Sequence, residues 1–124
     1  MGYERDRGSA QQRGYGQRWA KAAATFKRRH PHCLGCQAAG KLVATDVVDH
    51  VEPHKGDQAK FWNTALWQPA CRYCHDVVKP RLERLFETGE LKVIDLWLNS
   101  AAAQAMRKRH PPRADIGADG WLAG

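Results

Sequence analysis

Apolar positions along the chain change period several times, and each change marks an element. Between Gln17 and Arg29, Trp19, Ala22, Ala23 and Phe26 fall on one helical face. Arg28, Arg29 and His30 crowd the end of that face before Pro31, which disfavours helix at the residue preceding it. The pattern predicts a first helix near 17–29. Upstream, residues 1–16 mix glycine, glutamine and arginine without a period, which predicts a flexible basic arm. The β-branched residues of LVATDVVDHV suit two short strands, expected to pair about Thr45 and Asp46. The segment PHKGDQAKFWNTALWQP reads as a loop, with Gly56 and Asp57 as turn formers and Phe61, Trp62 and Trp67 as its apolar anchors. It is long for a connection, which points to a functional role.

Helical spacing returns from Arg72, with Val77 and Val78 as its apolar residues. Pro80 predicts either a kink or a new helix with the proline in its first turn. Leu82, Leu85 and Phe86 continue the spacing, and Gly89 suits a C-terminal cap. A last helix is expected near 100–109, with Ser100 as N-cap and RKRH at its end before two prolines. LKVIDLWL fits strand and helix equally, and residues 111–124 read as a loose tail.

Size and charge narrow the picture. A chain of 124 residues makes one domain with a modest core that a cross-link or a metal would help. A net charge of +7 favours a polyanionic partner; on charge alone, a basic protein with no such partner fits equally well. The start, MGYERDRGSAQQRGYG, lacks the apolar centre of an export signal, and no later run is long enough to span a bilayer. The expectation is an intracellular, cytoplasmic, reducing location with no membrane association. There Cys33, Cys36, Cys71 and Cys74, in HCLGC and ACRYC, read as a tetrathiolate zinc site in preference to disulfides or a redox pair. The 34 residues between the pairs exceed the roughly 15 to 20 of a zinc ribbon, so the metal would close a large loop with folded structure inside it.

VVDHVEPH then poses a chemical question. Val47, Val48 and Val51 suit a buried strand, but burying Asp49, His50 and His54 beside them is costly unless they are partnered. The stretch is either a solvated loop or chemistry. His75 directly follows Cys74, and adjacent helical residues point about 100° apart, so His75 is expected to face a second site. Trp19, Trp62 and Trp97 lie within apolar patterns and read as core, while Lys79 and RKRH read as solvated.

Together, HPHCLGC, VVDHVEPHKGD, FWNTALWQPACRYCHDVVK and the following RLERLFETGEL resemble the HNH endonuclease family, in particular its small zinc-stabilised phage and prophage members, over about residues 15–90. The resemblance implies an α+β fold: a ββα-metal (His-Me finger) core clasped by the four-cysteine zinc site, with flanking helices. The chain would divide into a basic arm (1–16), a nuclease domain with the zinc site (17–90), a helical extension (91–110) and a tail (111–124). Carried over residue by residue, Asp49 and His75 match ligands of a catalytic Mg²⁺, Mn²⁺, Ni²⁺ or Zn²⁺, and His50 matches the general base. His54, Lys55, Asn63 and Lys79 match supporting or phosphate-contacting positions. The implied reaction is hydrolysis of DNA, double-stranded by expectation, to 5′-phosphate and 3′-hydroxyl ends, with the arm and RKRH adding phosphate contacts and phage packaging proteins as candidate partners.

One position departs from the family. The asparagine that ties the loop to the hairpin aligns with Leu66, which has no donor or acceptor. Either Asn63 or Gln68 supplies the missing bonds, or packing of Leu66 and Trp67 holds the loop and catalysis is weakened or absent. Rival readings from other classes are a zinc-stabilised nucleic-acid-binding module and a protein-interaction domain.

Overall fold

Val47–His50 (β1) and Trp67–Ala70 (β2) form an antiparallel ladder in which Val47 faces Ala70, Val48 faces Pro69, Asp49 faces Gln68 and His50 faces Trp67. The computed structural model describes the backbone of residues 2–113 and the side chains of residues 16–113. Pro69 lacks a donor, which a two-stranded ladder tolerates because each strand has an outer edge. The pairing expected about Thr45 and Asp46 does not form. Ala44 instead bridges to His32, the Thr45 amide and hydroxyl donate to the carbonyls of Pro31 and His30, and Asp46 Oδ2 accepts the Arg72 amide at 2.8 Å. These bonds keep the chain extended across the first cysteine segment, so the strand meets its partner only after the long loop.

The first helix, α1, runs Gly2–Arg29. It begins before residue 17, so the segment expected to be a flexible arm has a helical backbone. Glu4, Arg5, Arg7, Gln11, Gln12 and Arg13 are good helix formers and outweigh a penalty of about 1 kcal/mol for each glycine between them. α2, Leu34–Ala38, starts directly after Cys33. α3, Gln58–Phe61, is capped by Asp57, whose Oδ1 accepts the Lys60 amide. A 3₁₀ turn, Thr64–Leu66, leads into β2.

After β2 the chain enters a π-helical turn, Cys74–Val78, continuous with α4, Lys79–Glu87. Pro80 lies in the first turn of α4, the second of the two expected outcomes. Without an N–H it cannot extend the regular bonding, and Arg81 Nη1 satisfies the Val77 carbonyl at 2.8 Å. Gly89, at φ +86°, ends the helix as expected. The ambiguous LKVIDLWL becomes a 3₁₀ turn, Val93–Leu96, whose Leu96 and neighbouring Leu98 are fully buried. α5, Ala101–Arg109, is capped by Ser100 Oγ, which accepts the Ala103 amide at 3.0 Å. Of the expected tail, residues 114–124 lie outside the described residues.

The core is built around sulfur. Cys33, Cys36, Cys71 and Cys74 cluster with Val51, Val78, Leu82, Leu96, Leu98, Ala103 and Met106. A chain of this size gains most from a staple at that place. Among the described residues no helix is long and apolar enough to cross a membrane.

Candidate metal centre and neighbouring cleft

Two loops separated by 34 residues of sequence deliver two cysteines each to one point. All four sulfurs lie within 4.8 Å of one another, and Cys36 Sγ is 3.6 Å from Cys71 Sγ. Four Zn–S bonds of about 2.3 Å in a tetrahedron put sulfurs about 3.8 Å apart, so the quartet fits a zinc ion. The thiols are free and buried. Sulfur hydrogen bonds from Cys36, Cys71 and Cys74 hold the Cys33 thiol far below its ordinary range, while the contacts of Cys33, Cys36 and Cys71 push Cys74 far above it. A bound cation would let all four sulfurs ionise. Gly35 is required here, because a Cβ at that position would sit 2.9 Å from Cys74 Sγ and 3.2 Å from Leu98 Cβ.

Arg107, expected to be solvated with the rest of RKRH, is only 7% exposed. Its Nη1 donates to Cys36 Sγ at 3.3 Å and Cys74 Sγ at 3.5 Å. Burial works against its charge, but the hydrogen bond to Cys36 and the charges of Cys36 and Cys74 more than compensate, and its pKa is raised. Ala103, Met106 and Arg107 share the buried face of α5; helical spacing from Ala103 was the available signal that Arg107 points inward. Tyr73 fastens the same helix end by donating to the His110 carbonyl. Lys108 and Arg109 are exposed, as expected.

On the other side of the π turn lies a cleft of about 240 Å³, lined by Asp49, His50, Pro53, His54, His75 and Glu83 together with Val48. The ladder runs unbroken to the His50–Trp67 pair, so β1 carries no bulge at Asp49 or His50. Their side chains leave opposite faces of β1 and nonetheless line one cleft, because the chain bends immediately afterwards at Val51 and Glu52.

Asp49 is 5% exposed and is partnered through one carboxylate oxygen. Its Oδ2 accepts from Gln68 Nε2 at 2.8 Å and from Lys79 Nζ at 2.9 Å. Its Oδ1 lies 3.9 Å from His75 Nε2. That separation is short enough for both atoms to reach one ion through bonds of about 2.1 Å. His75 Nδ1 donates to Asp76 Oδ1 at 2.8 Å, which leaves the Nε2 lone pair towards Asp49. Cys74 lies in the sulfur quartet and His75 at the cleft, the divergence expected of adjacent residues on a helix.

His50 Nε2 donates to the Phe61 carbonyl at 3.0 Å, leaving Nδ1 as the basic nitrogen. The ring stacks on Trp19 at 5.2 Å between centroids. Desolvation by burial, the largest influence, lowers its pKa below 6.5 against the opposing bond to Phe61. Trp19 is thus half-buried over the cleft residue and not simply core.

The loop that carries Leu66 is tied down by other groups. Trp67 Nε1 donates to the same Phe61 carbonyl at 2.9 Å, and Val51 N donates to the Leu66 carbonyl at 2.8 Å. The Leu66 side chain packs against the core. Asn63 only caps the 3₁₀ turn, its Oδ1 accepting the Ala65 amide, whereas Gln68 reaches across the ladder to Asp49 and also bonds Leu96 and Leu98. Of the two expected substitutes, Gln68 is the one that touches the site. Trp67 performs the loop-to-hairpin tie.

Lys79 is neither solvated nor free to meet a phosphate. At 2% exposure, its Nζ bonds the His50 carbonyl at 2.7 Å, Glu83 Oε2 at 2.8 Å and Asp49 Oδ2. It is a supporting residue. His54 accepts the Gly56 amide at Nδ1 and meets the His50 ring edge-on at 4.9 Å. Lys55 is exposed, at φ 47°, and pairs with Glu87 at 3.3 Å. Glu83, which lines the cleft, and Asp76, which holds His75, escaped sequence reading because nothing in their spacing marks them.

Compared with known proteins, the chain matches no family model, no curated protein and no solved structure.

Proposed function

We propose that the protein is a metal-dependent endonuclease of the HNH type that hydrolyses DNA phosphodiester bonds, its frame held by a structural zinc ion. The observation that supports this reading most is the convergence of Asp49, His75 and His50 on one cleft at the end of a strand–strand–helix unit. A module that only binds gains nothing from sinking a carboxylate to 5% exposure beside a half-buried, lowered-pKa imidazole.

The four cysteines would hold zinc, and Asp49 Oδ1 with His75 Nε2 would hold a divalent cation, which when bound supplies electrostatic stabilisation of the phosphate and the departing oxygen. His50 Nδ1 removes a proton from the attacking water, since its Nε2–H is committed to Phe61. Lys79 and Gln68 hold Asp49 through Oδ2 and leave Oδ1 directed at His75. Trp19 and Phe61 shield the His50 ring and keep it neutral.

The test is plasmid cleavage by the zinc-loaded protein with Mg²⁺, Mn²⁺, Ni²⁺ or Zn²⁺, alongside His50→Ala. The expected outcome is metal-dependent nicking or linearisation that disappears in the variant while its zinc content is unchanged. DNA binding by zinc-loaded protein without cleavage under any metal would assign it to the rival class, a zinc-stabilised binding module, and Leu66 would then account for the lost chemistry.

A further inference from the structure

Behind the aromatic wall of the cleft, two adjoining depressions of about 630 and 500 Å³ follow the C-terminal half of α1. They share Phe26, Arg29, His30, Thr64 and Trp67 and therefore form one trough. Its apolar lining is aromatic: half-buried Phe26 meets the buried Trp67 edge-on at 5.8 Å and the exposed His30 at 4.3 Å, and half-buried Trp97 closes the far end. Lys21, Arg29, His30 and His32 stand exposed along it, and neither lining includes an aspartate or glutamate.

Ring faces combined with Lys21 and Arg29, neither of which has an ion-pair partner among the described residues, select the ligand. Duplex DNA offers phosphates but hides its base faces, whereas a single strand offers both, and each base can stack on an aromatic ring while its phosphate meets a cation. A purely apolar partner would leave the exposed cations uncompensated. We propose that this trough binds single-stranded nucleic acid. Its position fits a strand passing from the cleft, because Trp67 lines the trough while its ring centroid lies 6.2 Å from that of His50. The proposal does not depend on hydrolysis: Phe26 and Arg29 touch none of the groups assigned to the cleft.

The experiment is fluorescence anisotropy of zinc-loaded protein with a labelled twelve-residue oligothymidylate, without added divalent metal, over a salt series. Phe26→Leu keeps the apolar bulk and removes the ring, and should weaken oligothymidylate binding by about fivefold or more with an unchanged salt slope. Arg29→Glu, at an exposed position that tolerates substitution, should reduce the slope of log affinity against log salt by about 0.7. Neither should weaken duplex binding as much. His50→Ala should bind oligothymidylate like the parent, so loss of cleavage and loss of the trough are separable. Parent-like binding in both variants overturns the proposal. So does displacement of the oligonucleotide by polyglutamate at equal charge concentration from parent and Phe26→Leu alike, which would assign the trough to an acidic protein surface.

Discussion

Replacing Arg107 with methionine keeps the side-chain volume on α5 and removes one buried charge from the sulfur quartet. Four thiolates around a divalent ion carry a net charge of −2, and Arg107, 3.3 Å from Cys36 Sγ and 3.5 Å from Cys74 Sγ, halves that excess. A unit pair at about 4 Å interacts by about 4 kcal/mol at an effective dielectric of about 20, and desolvation cancels much of it. Partners one step outside a metal site typically govern affinity by about 10- to 100-fold, which corresponds to about 1.4–2.7 kcal/mol. Arg107→Met is therefore expected to bind zinc tens-fold more weakly in competition with a chromophoric chelator at pH 7. Met106→Ala, which loosens the same buried helix face but leaves the guanidinium in place, separates charge from docking. If Arg107→Met binds zinc within threefold of the parent, or Met106→Ala weakens it equally, the guanidinium is not what stabilises the thiolates.

Other consequences can be measured directly. Gly35→Ala forces a Cβ to 2.9 Å from Cys74 Sγ, so it should lose zinc and unfold at lower temperature, and full zinc occupancy at an unchanged melting temperature would refute the close approach. Lys79→Met strands Asp49 in a buried site and should cost about 3 kcal/mol in urea unfolding, more than Glu83→Gln, whose carboxylate is 33% exposed; equal costs would sink that account of the network. His50, desolvated and held below 6.5, contributes stability that is present above 6.5 and lost as pH falls through its lower folded value. Its ring should therefore titrate below 6.5 by NMR in zinc-loaded protein, and the acid limb of cleavage should follow it; titration at or above 6.5 contradicts the burial argument.

What was legible in the sequence followed from short-range rules. The capping serine at position 100, the terminating Gly89 and the proline in the first turn of α4 depend on residues a few positions apart, and so does each C-x-x-C pair, although 34 residues separate the two pairs that meet. The strand partner of VVDH was misplaced because the competing bonds of Thr45 and Asp46, to His30, Pro31 and Arg72, come from segments distant in sequence. Lys79 and Arg107 were read as solvated for a related reason. A charged side chain is buried only when tertiary structure brings it partners, and here those partners are Asp49 and Glu83 in one case and two cysteine sulfurs in the other.

The two candidate metal sites are coupled by the peptide between Cys74 and His75. Cys74 is 1% exposed in the quartet, while His75 is half-buried at the cleft and its amide donates to the Cys71 carbonyl at 3.0 Å. One turn thus carries a sulfur of the frame on one face and an imidazole of the cleft on the other. A regular helix that meets Pro80 would lose a bond at this level; the π turn Cys74–Val78 passes directly into α4, from which Lys79 reaches back to Asp49. Single-turn π segments recur where a helix must aim a functional side chain. The cysteines do not line the cleft, but a metal held by the quartet would anchor the turn that carries His75 and so constrain where His75 Nε2 stands relative to Asp49 Oδ1. Any chemistry in the cleft therefore inherits its precision from sulfur atoms that never touch the reacting groups.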